Sequence, residues 1–123
     1  MRDIDSQHKG LAVAWADEVS HGTSRKFILR CGSKSIDGFV VNFKGHFYAY
    51  VNRCCHIPMA LDWYENEFFT KDKRYILCPT HGAAYEPHTG LCIDGPCPGE
   101  YLETLPVSVK QGQIVVYCPP AWE

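Results

Sequence analysis

Short apolar runs with alternating polar positions, separated by Gly, Pro and Asn, fill most of the chain after its first quarter. Two of these runs, residues 39–43 and 47–51, are rich in aromatic and β-branched side chains, which favour strands. They flank a short turn that contains Gly45, and glycine readily adopts the positive φ that such turns require. This pattern predicts a β-hairpin with Gly45 at the positive-φ position.

Further runs of the same kind follow. Residues 105–109 and 114–117 flank a Gly-containing turn and predict a second hairpin, while residues 74–77 and 83–86 predict two short strands. The second of these strands is ended by a predicted turn at residues 87–90. Many short strands at close spacing predict an all-β fold, a small antiparallel sandwich or barrel-like domain.

Helix-forming stretches are scarce. Residues 11–19 are the best candidate for a helix, and residues 59–66 have room for no more than a short turn. The sequence therefore predicts one N-terminal helix against a background of strands.

Size and charge narrow the class of protein. The chain has 123 residues, which is enough for one domain with its own core. Its formal net charge of −2 gives no reason to expect a nucleic acid or an anionic membrane as partner. No apolar run reaches the length of a membrane span, and the first residues lack the apolar stretch of a signal peptide. We therefore expect a cytoplasmic protein.

The chain contains seven cysteines. Without an export signal, this number argues against a disulfide scaffold and favours reduced thiols. Cys31, Cys92 and Cys118 stand among apolar neighbours and are predicted to be small buried hydrophobic residues.

The remaining cysteines include two that form tight pairs with histidine. Cys54 and His56 have the spacing C-x-H, and Cys78 and His81 have the spacing C-x-x-H, with residues 57–77 between the pairs. Thiolate and imidazole are ligands for zinc, copper and iron–sulfur clusters. The predicted strands place both pairs on loops at strand ends, where a rigid β scaffold commonly presents functional groups.

Three interpretations of this ligand set compete. A structural zinc site accepts two Cys and two His, but zinc modules usually keep like ligands together. Two buried cysteines and two surface histidines without metal are a second possibility. The third is a Rieske [2Fe–2S] centre, in which two His replace two Cys on one iron. The mixed order, with one Cys and one His in each pair, favours the third interpretation.

The sequence resembles the Rieske iron–sulfur domain from about residue 27 to residue 117. The matching pieces are residues 38–51 with the first ligand pair, the second ligand pair with Gly82, then Tyr85 and Gly90, and finally residues 95–98 and 105–107. The resemblance implies a single domain over residues 1–123. Within it, a cluster-binding subdomain is expected at about residues 52–100, and a base sheet at about residues 10–51 and 101–118.

The resemblance also implies a role for each ligand. Cys54 and Cys78 are expected to hold the inner iron, and His56 and His81 the outer, more exposed iron of one [2Fe–2S] cluster. Pro96 is expected in a loop that covers the cluster.

Departures from the family pattern affect the expected reduction potential of the cluster. High-potential members carry a disulfide between the two ligand loops, and the matching positions here are Met59 and Thr80. They also place a serine where this chain has Ala83, whereas the family tyrosine has a match in Tyr85, whose hydroxyl is expected to reach a cysteine sulfur. Because hydrogen bonds to sulfur raise the reduction potential, we expect a lower-potential ferredoxin.

The resulting hypothesis is a soluble Rieske-type ferredoxin, an electron carrier and not an enzyme, that exchanges one electron at a time with redox proteins. A flavin reductase and an oxygenase are the expected partners. The alternatives are a dedicated ferredoxin component of a multicomponent Rieske oxygenase, the small subunit of a nitrite reductase, and a zinc-stabilised structural module. Residues 63–69, which mix aromatic and acidic side chains, are interpreted as a local packing cluster, with a docking surface as the alternative.

The other polar residues give no sign of side-chain catalysis. Glu86 and Asp94 could form a carboxylate pair for acid–base chemistry, but the sequence predicts no substrate pocket around them, and no phosphate-binding or Ser-His-Asp pattern is present. Solvated or hydrogen-bonding roles are expected for the four histidines outside the ligand pairs, which are His8, His21, His46 and His88.

Overall fold

The computed structural model describes residues 10–53, 69–70, 72–78, 83–95 and 98–119. These residues form ten strands and one short 3₁₀ turn (Ala16–Glu18). The strands are β1 (Gly10–Trp15), β2 (Ser24–Cys31), β3 (Lys34–Phe43), β4 (His46–Val51), β5 (Ile76–Cys78), β6 (Ala83–Tyr85), β7 (Cys92–Asp94), β8 (Thr104–Leu105), β9 (Val107–Lys110) and β10 (Gln113–Tyr117).

The strands form three sheets. The first base sheet has the order β1-β10-β9, the second base sheet β2-β3-β4-β8, and the small sheet β5-β6-β7. Every pair of neighbouring strands is antiparallel, which confirms the predicted all-β antiparallel fold. Among the residues described, no helix has the length and apolarity needed to cross a bilayer.

The three sheets form layers with the second base sheet in the middle. Along β3, Val40 packs into a core with the first base sheet, whereas Phe39 and Val41 pack into a core with the small sheet. This alternation follows from the period of two residues in a strand. Because β3 is covered on both faces, nearly all of its central residues are buried.

The hairpin predicted around Gly45 is present. Phe43 pairs with His46, so the turn consists of Lys44 and Gly45, and His46 belongs to β4. The φ angles of Lys44 and Gly45 are 56° and 88°, both positive, as a type I′ turn requires.

The second predicted hairpin is also present, but its first strand is divided. Pro106 separates Leu105, which pairs with Ala49 in the second base sheet, from Val107, which pairs with Val116 in the first base sheet. Proline has no N–H to give to a strand ladder, so a strand readily ends there. The chain therefore passes from one sheet to the other at Pro106.

The prediction of a helix at residues 11–19 is wrong. This segment begins with β1, in which Leu11 faces Val116 and Trp15 faces Gln113, and only the 3₁₀ turn after Trp15 is helical. Strand β10 offers a complete ladder partner, and this non-local pairing outweighs the local helix propensity of the alanines.

Cys31 and Cys118 are joined by a disulfide, with 2.11 Å between the sulfur atoms. The expectation of reduced thiols is therefore wrong for this pair. The two cysteines lie 87 residues apart, so only the packing of β2 against the end of β10 brings their Cα atoms to 5.7 Å. The predicted burial of Cys31, Cys92 and Cys118 is confirmed, and Cys92 is a free thiol.

Candidate metal centre

The second ligand pair is attached to the small sheet. Cys78 is the last residue of β5 and pairs with Ala83, the first residue of β6. Residues 79–82, which include His81, therefore connect two directly paired residues. The sequence predicts this strand at residues 74–77, whereas β5 spans Ile76–Cys78. The strand leads into the second ligand pair as predicted, and the backbone of Cys78 belongs to it.

Strand β7 continues this sheet towards the predicted proline loop. Asp94 pairs with Ala84, which in turn pairs with Leu77, so these three residues lie in one row across the sheet. Because neighbouring strands are about 4.8 Å apart, Asp94 lies about 10 Å from Leu77, the neighbour of Cys78. The chain therefore enters the proline loop close to the second ligand pair.

The proline loop is closed at its base by two backbone hydrogen bonds. The N–H of Cys92 donates to the carbonyl oxygen of Glu100 at 2.7 Å, and the N–H of Gly99 donates to the carbonyl oxygen of Cys92 at 3.0 Å. Pro96 lies between these anchors, outside the described residues. Its predicted covering role stays a prediction.

The segment that leads to the first ligand pair is firmly held. The N–H of Asn52 donates to the carbonyl oxygen of Asp37 at 2.7 Å, and Asn52 is only 6% exposed. The side chain of Arg53 forms an ion pair with Glu103, with 3.6 Å between Nη2 and Oε1. The residues immediately before Cys54 are therefore anchored to β3 and to the chain that precedes β8.

A small cavity of about 220 Å³ lies beside this segment, and its lining includes Asp37 and Asn52. The Asp37 carboxylate has its Oδ2 atom 3.9 Å from the Lys26 ammonium, whereas its Oδ1 atom is buried and has no hydrogen-bond partner. The lining of the cavity therefore carries one carboxylate, Asp37, and one guanidinium, Arg53.

The chain from the first ligand pair returns beside β5. Phe69 forms an isolated antiparallel bridge with Ile76, and the N–H of Thr70 donates to the carbonyl oxygen of Tyr75 at 2.8 Å. Phe69 also packs, partly buried, against the core between the second base sheet and the small sheet. This contact agrees with a packing role for the end of residues 63–69, and the rest of that segment lies outside the described residues.

Tyr50 connects the second base sheet to the small sheet. Its hydroxyl donates to the carbonyl oxygen of Pro87 at 2.7 Å, and its ring lies against Gly90, whose φ is 79°. Burial, and to a lesser degree the neighbouring Tyr48, raise the pKa of Tyr50 above its ordinary range. The predicted turn at residues 87–90 is confirmed, and it is held against β4 by this contact.

Two residues with expected effects on the cluster are buried in β6. Ala83 and Tyr85 are both 0% exposed and belong to the core between the second base sheet and the small sheet. Ala83 supplies a methyl group where a serine would supply a hydroxyl. The expected hydrogen bond from Tyr85 to a cysteine sulfur stays a prediction.

The histidines outside the ligand pairs make other contacts. His21 accepts a hydrogen bond at Nδ1 from the backbone N–H of Lys44 at 2.9 Å, and His88 stacks on Phe43 with ring centroids 5.9 Å apart. No group of three or more His, Cys, Asp and Glu residues within the described ranges is placed to hold a metal ion. His8 lies outside these ranges.

All four predicted ligand side chains lie outside the described part of the structure. Cys54, His56 and His81 are not among the described residues, and of Cys78 only the backbone is described. The donor chemistry, two thiolates and two imidazoles on loops anchored at both ends, fits a Rieske-type [2Fe–2S] cluster.

Three antiparallel layers, with one predicted ligand pair beginning at a strand end and the other following β4, define a small all-β protein. The model of the Rieske [2Fe–2S] domain matches residues 9–117. The chain belongs to this family.

Ferredoxins are among the proteins that this chain resembles. Ferredoxin CarAc from Metapseudomonas resinovorans is 32% identical over 106 residues, which cover 86% of this chain and 91% of that protein. A chain in the complex of reduced oxygenase and oxidized ferredoxin of carbazole 1,9a-dioxygenase matches with a TM-score of 0.70 and 30% identity, over 89% of this chain and 94% of that one. The ferredoxin of carbazole 1,9a-dioxygenase from Nocardioides aromaticivorans IC177 shares the fold, with a TM-score of 0.69 and 24% identity over 90% and 99% of the two chains.

These findings confirm the predicted family, the all-β fold and the Rieske-type [2Fe–2S] cofactor. They also confirm the prediction of a ferredoxin, an electron carrier rather than an enzyme. The zinc-stabilised module is thereby set aside.

Proposed function

We propose that this ferredoxin delivers single electrons to an oxygenase and that Cys54, His56, Cys78 and His81 hold its cluster. The observation that supports the ligand assignment is the pairing of Cys78 with Ala83: Cys78 ends β5, and His81 belongs to the four-residue connection that follows it. The first pair begins one residue after the anchored Arg53.

Each of these residues has a distinct task in the proposed site. When bound, the [2Fe–2S] cluster accepts and releases one electron at a time. The thiolates of Cys54 and Cys78 hold the inner iron, and the imidazoles of His56 and His81 hold the outer iron.

Three neighbouring residues tune this site. Tyr85 donates its hydroxyl hydrogen bond to a cysteine sulfur, and Pro96 excludes water from the remaining side. Ala83 donates nothing from its side chain, which keeps the potential low among Rieske proteins.

Matched serine variants test the ligand assignment. Cys54→Ser and Cys78→Ser are each expected to abolish the visible absorption of the cluster and the stoichiometric binding of iron and sulfide. Cys55→Ser and Cys97→Ser are the controls, because each adjoins a residue of the proposed site in the sequence, Cys54 and Pro96 respectively, and neither is a proposed ligand. Loss of the cluster in Cys55→Ser with a normal cluster in Cys54→Ser would overturn the assignment.

An oxygenase is the partner that the similar proteins favour. Both solved structures described above belong to carbazole 1,9a-dioxygenases, and one of them is a complex of the oxygenase with its ferredoxin. We propose that a flavin reductase supplies the electrons that reduce this ferredoxin. The reduced protein, mixed with the oxygenase of carbazole 1,9a-dioxygenase and carbazole, is expected to reoxidise with saturation kinetics. A rate that rises linearly with oxygenase concentration up to high concentration would count against a dedicated oxygenase partner.

We propose the cytoplasm as the working compartment, because the cluster needs two reduced thiolates. The Cys31–Cys118 disulfide, which is buried, is the one feature more typical of an oxidising compartment. Fractionation of cells that express the tagged protein decides between the two.

We also propose that residues 52–100 form the cluster-binding subdomain on a base of residues 10–51 and 101–118.

A further inference from the structure

Charge is segregated along the chain. Residues 54–103 contain three Lys and Arg residues against eight Asp and Glu residues, a net charge of −5. The rest of the chain contains nine Lys and Arg residues against six Asp and Glu residues, a net charge of +3. The overall charge of −2 therefore conceals an acidic segment that includes the proposed ligands.

The hairpin around the proline loop exposes two large apolar side chains in this acidic segment. Ile93 on β7 is 41% exposed, and Tyr101 on the returning strand is 61% exposed. Tyr101 lies directly opposite Leu91. The backbone hydrogen bonds are made by the residues on either side of them, so the two form a non-hydrogen-bonded pair, in which side chains approach closely. Ile93 is the extra residue of a β-bulge, which takes it out of the ladder with β6.

Each of these two exposed apolar residues has an exposed carboxylate as its immediate neighbour in the sequence. Asp94 follows Ile93, and Glu100 precedes Tyr101. Neither carboxylate forms an ion pair with another residue in the described part of the chain. Asp94 Oδ1 accepts a hydrogen bond from the backbone N–H of Gly95 at 2.9 Å. Two exposed carboxylates without an ion pair among the described residues therefore lie on the same hairpin as the two exposed apolar side chains.

This surface lies close to the second ligand pair. Asp94 and Leu77 lie in one row of the small sheet, two strand spacings or about 10 Å apart, and Leu77 precedes Cys78. A partner that covers the surface therefore comes within short range of the proposed electron exit.

We propose that Ile93, Asp94, Glu100 and Tyr101, here called the acidic hairpin surface, dock a redox protein that has a basic rim around an apolar centre. Charge complementarity selects the partner: the carboxylates steer a cationic surface towards the cluster, and the apolar pair forms the contact that displaces water. The small area suits the weak, transient complexes of electron carriers. The proposal rests on the proposed function, since it requires a bound [2Fe–2S] cluster.

Stopped-flow oxidation of the dithionite-reduced holoprotein by two acceptors tests the surface. Mitochondrial cytochrome c is a basic protein, and ferricyanide is a small anion. In each reaction the reduced cluster gives one electron to a ferric iron, which becomes ferrous. The two acceptors carry opposite charges, so a local electrostatic effect changes their rates in opposite directions.

Variants of the two carboxylates test whether these charges attract a cationic acceptor. At low ionic strength, Asp94→Asn and Glu100→Gln are each expected to slow cytochrome c reduction by about two- to threefold and to accelerate ferricyanide reduction. Both effects are expected to vanish at high salt. The matched control is Asp17→Asn, an exposed carboxylate that follows β1 in the first base sheet.

Variants of the two apolar residues test whether these side chains contact the docked acceptor. Ile93→Ser and Tyr101→Ser are expected to slow cytochrome c reduction about fivefold at all salt concentrations and to leave ferricyanide reduction unchanged. The control is Val109→Ser, a 49% exposed residue of the first base sheet. An unchanged ferricyanide rate and cluster spectrum also show that a variant is folded.

The possible failures are distinguishable. If cytochrome c rates in the surface variants equal those of Asp17→Asn and Val109→Ser while ferricyanide reacts normally, the docking surface is overturned and the proposed function stands. If the unmodified chain binds no [2Fe–2S] cluster under anaerobic reconstitution, both are overturned.

Discussion

The hydroxyl of Tyr50 donates a hydrogen bond to the carbonyl oxygen of Pro87, with 2.7 Å between the oxygen atoms and both residues buried. Tyr50→Phe removes the donor, retains the ring, and leaves the Pro87 carbonyl without this partner. The free energy of unfolding is expected to fall by about 1–3 kcal/mol, measured by urea denaturation. Tyr48→Phe is the control, because the partly buried Tyr48 makes no such bond in the described part of the chain, and a change within about 0.5 kcal/mol is expected.

The same tyrosine predicts a pH dependence. Burial first, and Tyr48 second, raise the pKa of Tyr50 above the value of about 10 of an unperturbed tyrosine. A raised pKa means that folding favours the neutral phenol, so this stabilisation is complete below about pH 10 and is lost as the pH rises further.

The stability difference between the unmodified protein and Tyr50→Phe is therefore expected to shrink above about pH 10, by at most about 1.4 kcal/mol per pH unit. Urea denaturation of both proteins between neutral pH and about pH 11 measures this difference. A difference that stays constant over the whole range would contradict the expectation.

The Cys31–Cys118 disulfide is expected to stabilise the base of the molecule. It closes a segment of 87 residues, and cross-links of that size contribute about 2–5 kcal/mol. The double variant Cys31→Ala/Cys118→Ala is expected to lose this amount and to become insensitive to dithiothreitol. Cys92→Ala, which changes a buried free thiol, is expected to retain the dithiothreitol sensitivity of the unmodified protein.

Ala83→Ser is expected to raise the reduction potential. A hydroxyl at this buried position would donate a hydrogen bond to a cluster sulfur, which stabilises the reduced form. A bond worth about 1.4 kcal/mol more in the reduced form corresponds to about 60 mV for a one-electron couple. Ala84→Ser serves as control because Ala84 lies on the opposite side of β6 and is half-buried, so its potential should match that of the unmodified protein in protein-film voltammetry.

Local sequence signals predicted the parts of the fold that depend on neighbours in the chain. The hairpin of β3 and β4 has alternating apolar residues and a glycine at the position where a type I′ turn needs positive φ, so the sequence alone specifies its register. The ligand pairs were equally local, since the spacing within each pair and the strand before Cys78 are visible in short stretches of sequence.

Features that depend on distant residues could not be predicted in this way. Residues 11–19 look helical until β10 is present as a partner, and Cys31 meets Cys118 only after the two base sheets have packed. The apolar run at residues 105–109 gave no sign that its two halves join different sheets. In each case a partner far along the chain determines the structure.

The chain leaves the second base sheet and returns to it at adjacent points. The N–H of Val51 donates to the carbonyl oxygen of Glu103 at 2.9 Å, and Tyr50 pairs with Thr104. The residues between these points form an insertion whose two ends are in contact, so the pairing of β4 with β8 does not depend on the length of the insertion. In evolution or in the laboratory, the insertion can therefore change in length or sequence wherever it keeps covering Phe39, Val41 and Tyr50, and electron-transfer properties can diverge while the scaffold that carries them stays the same.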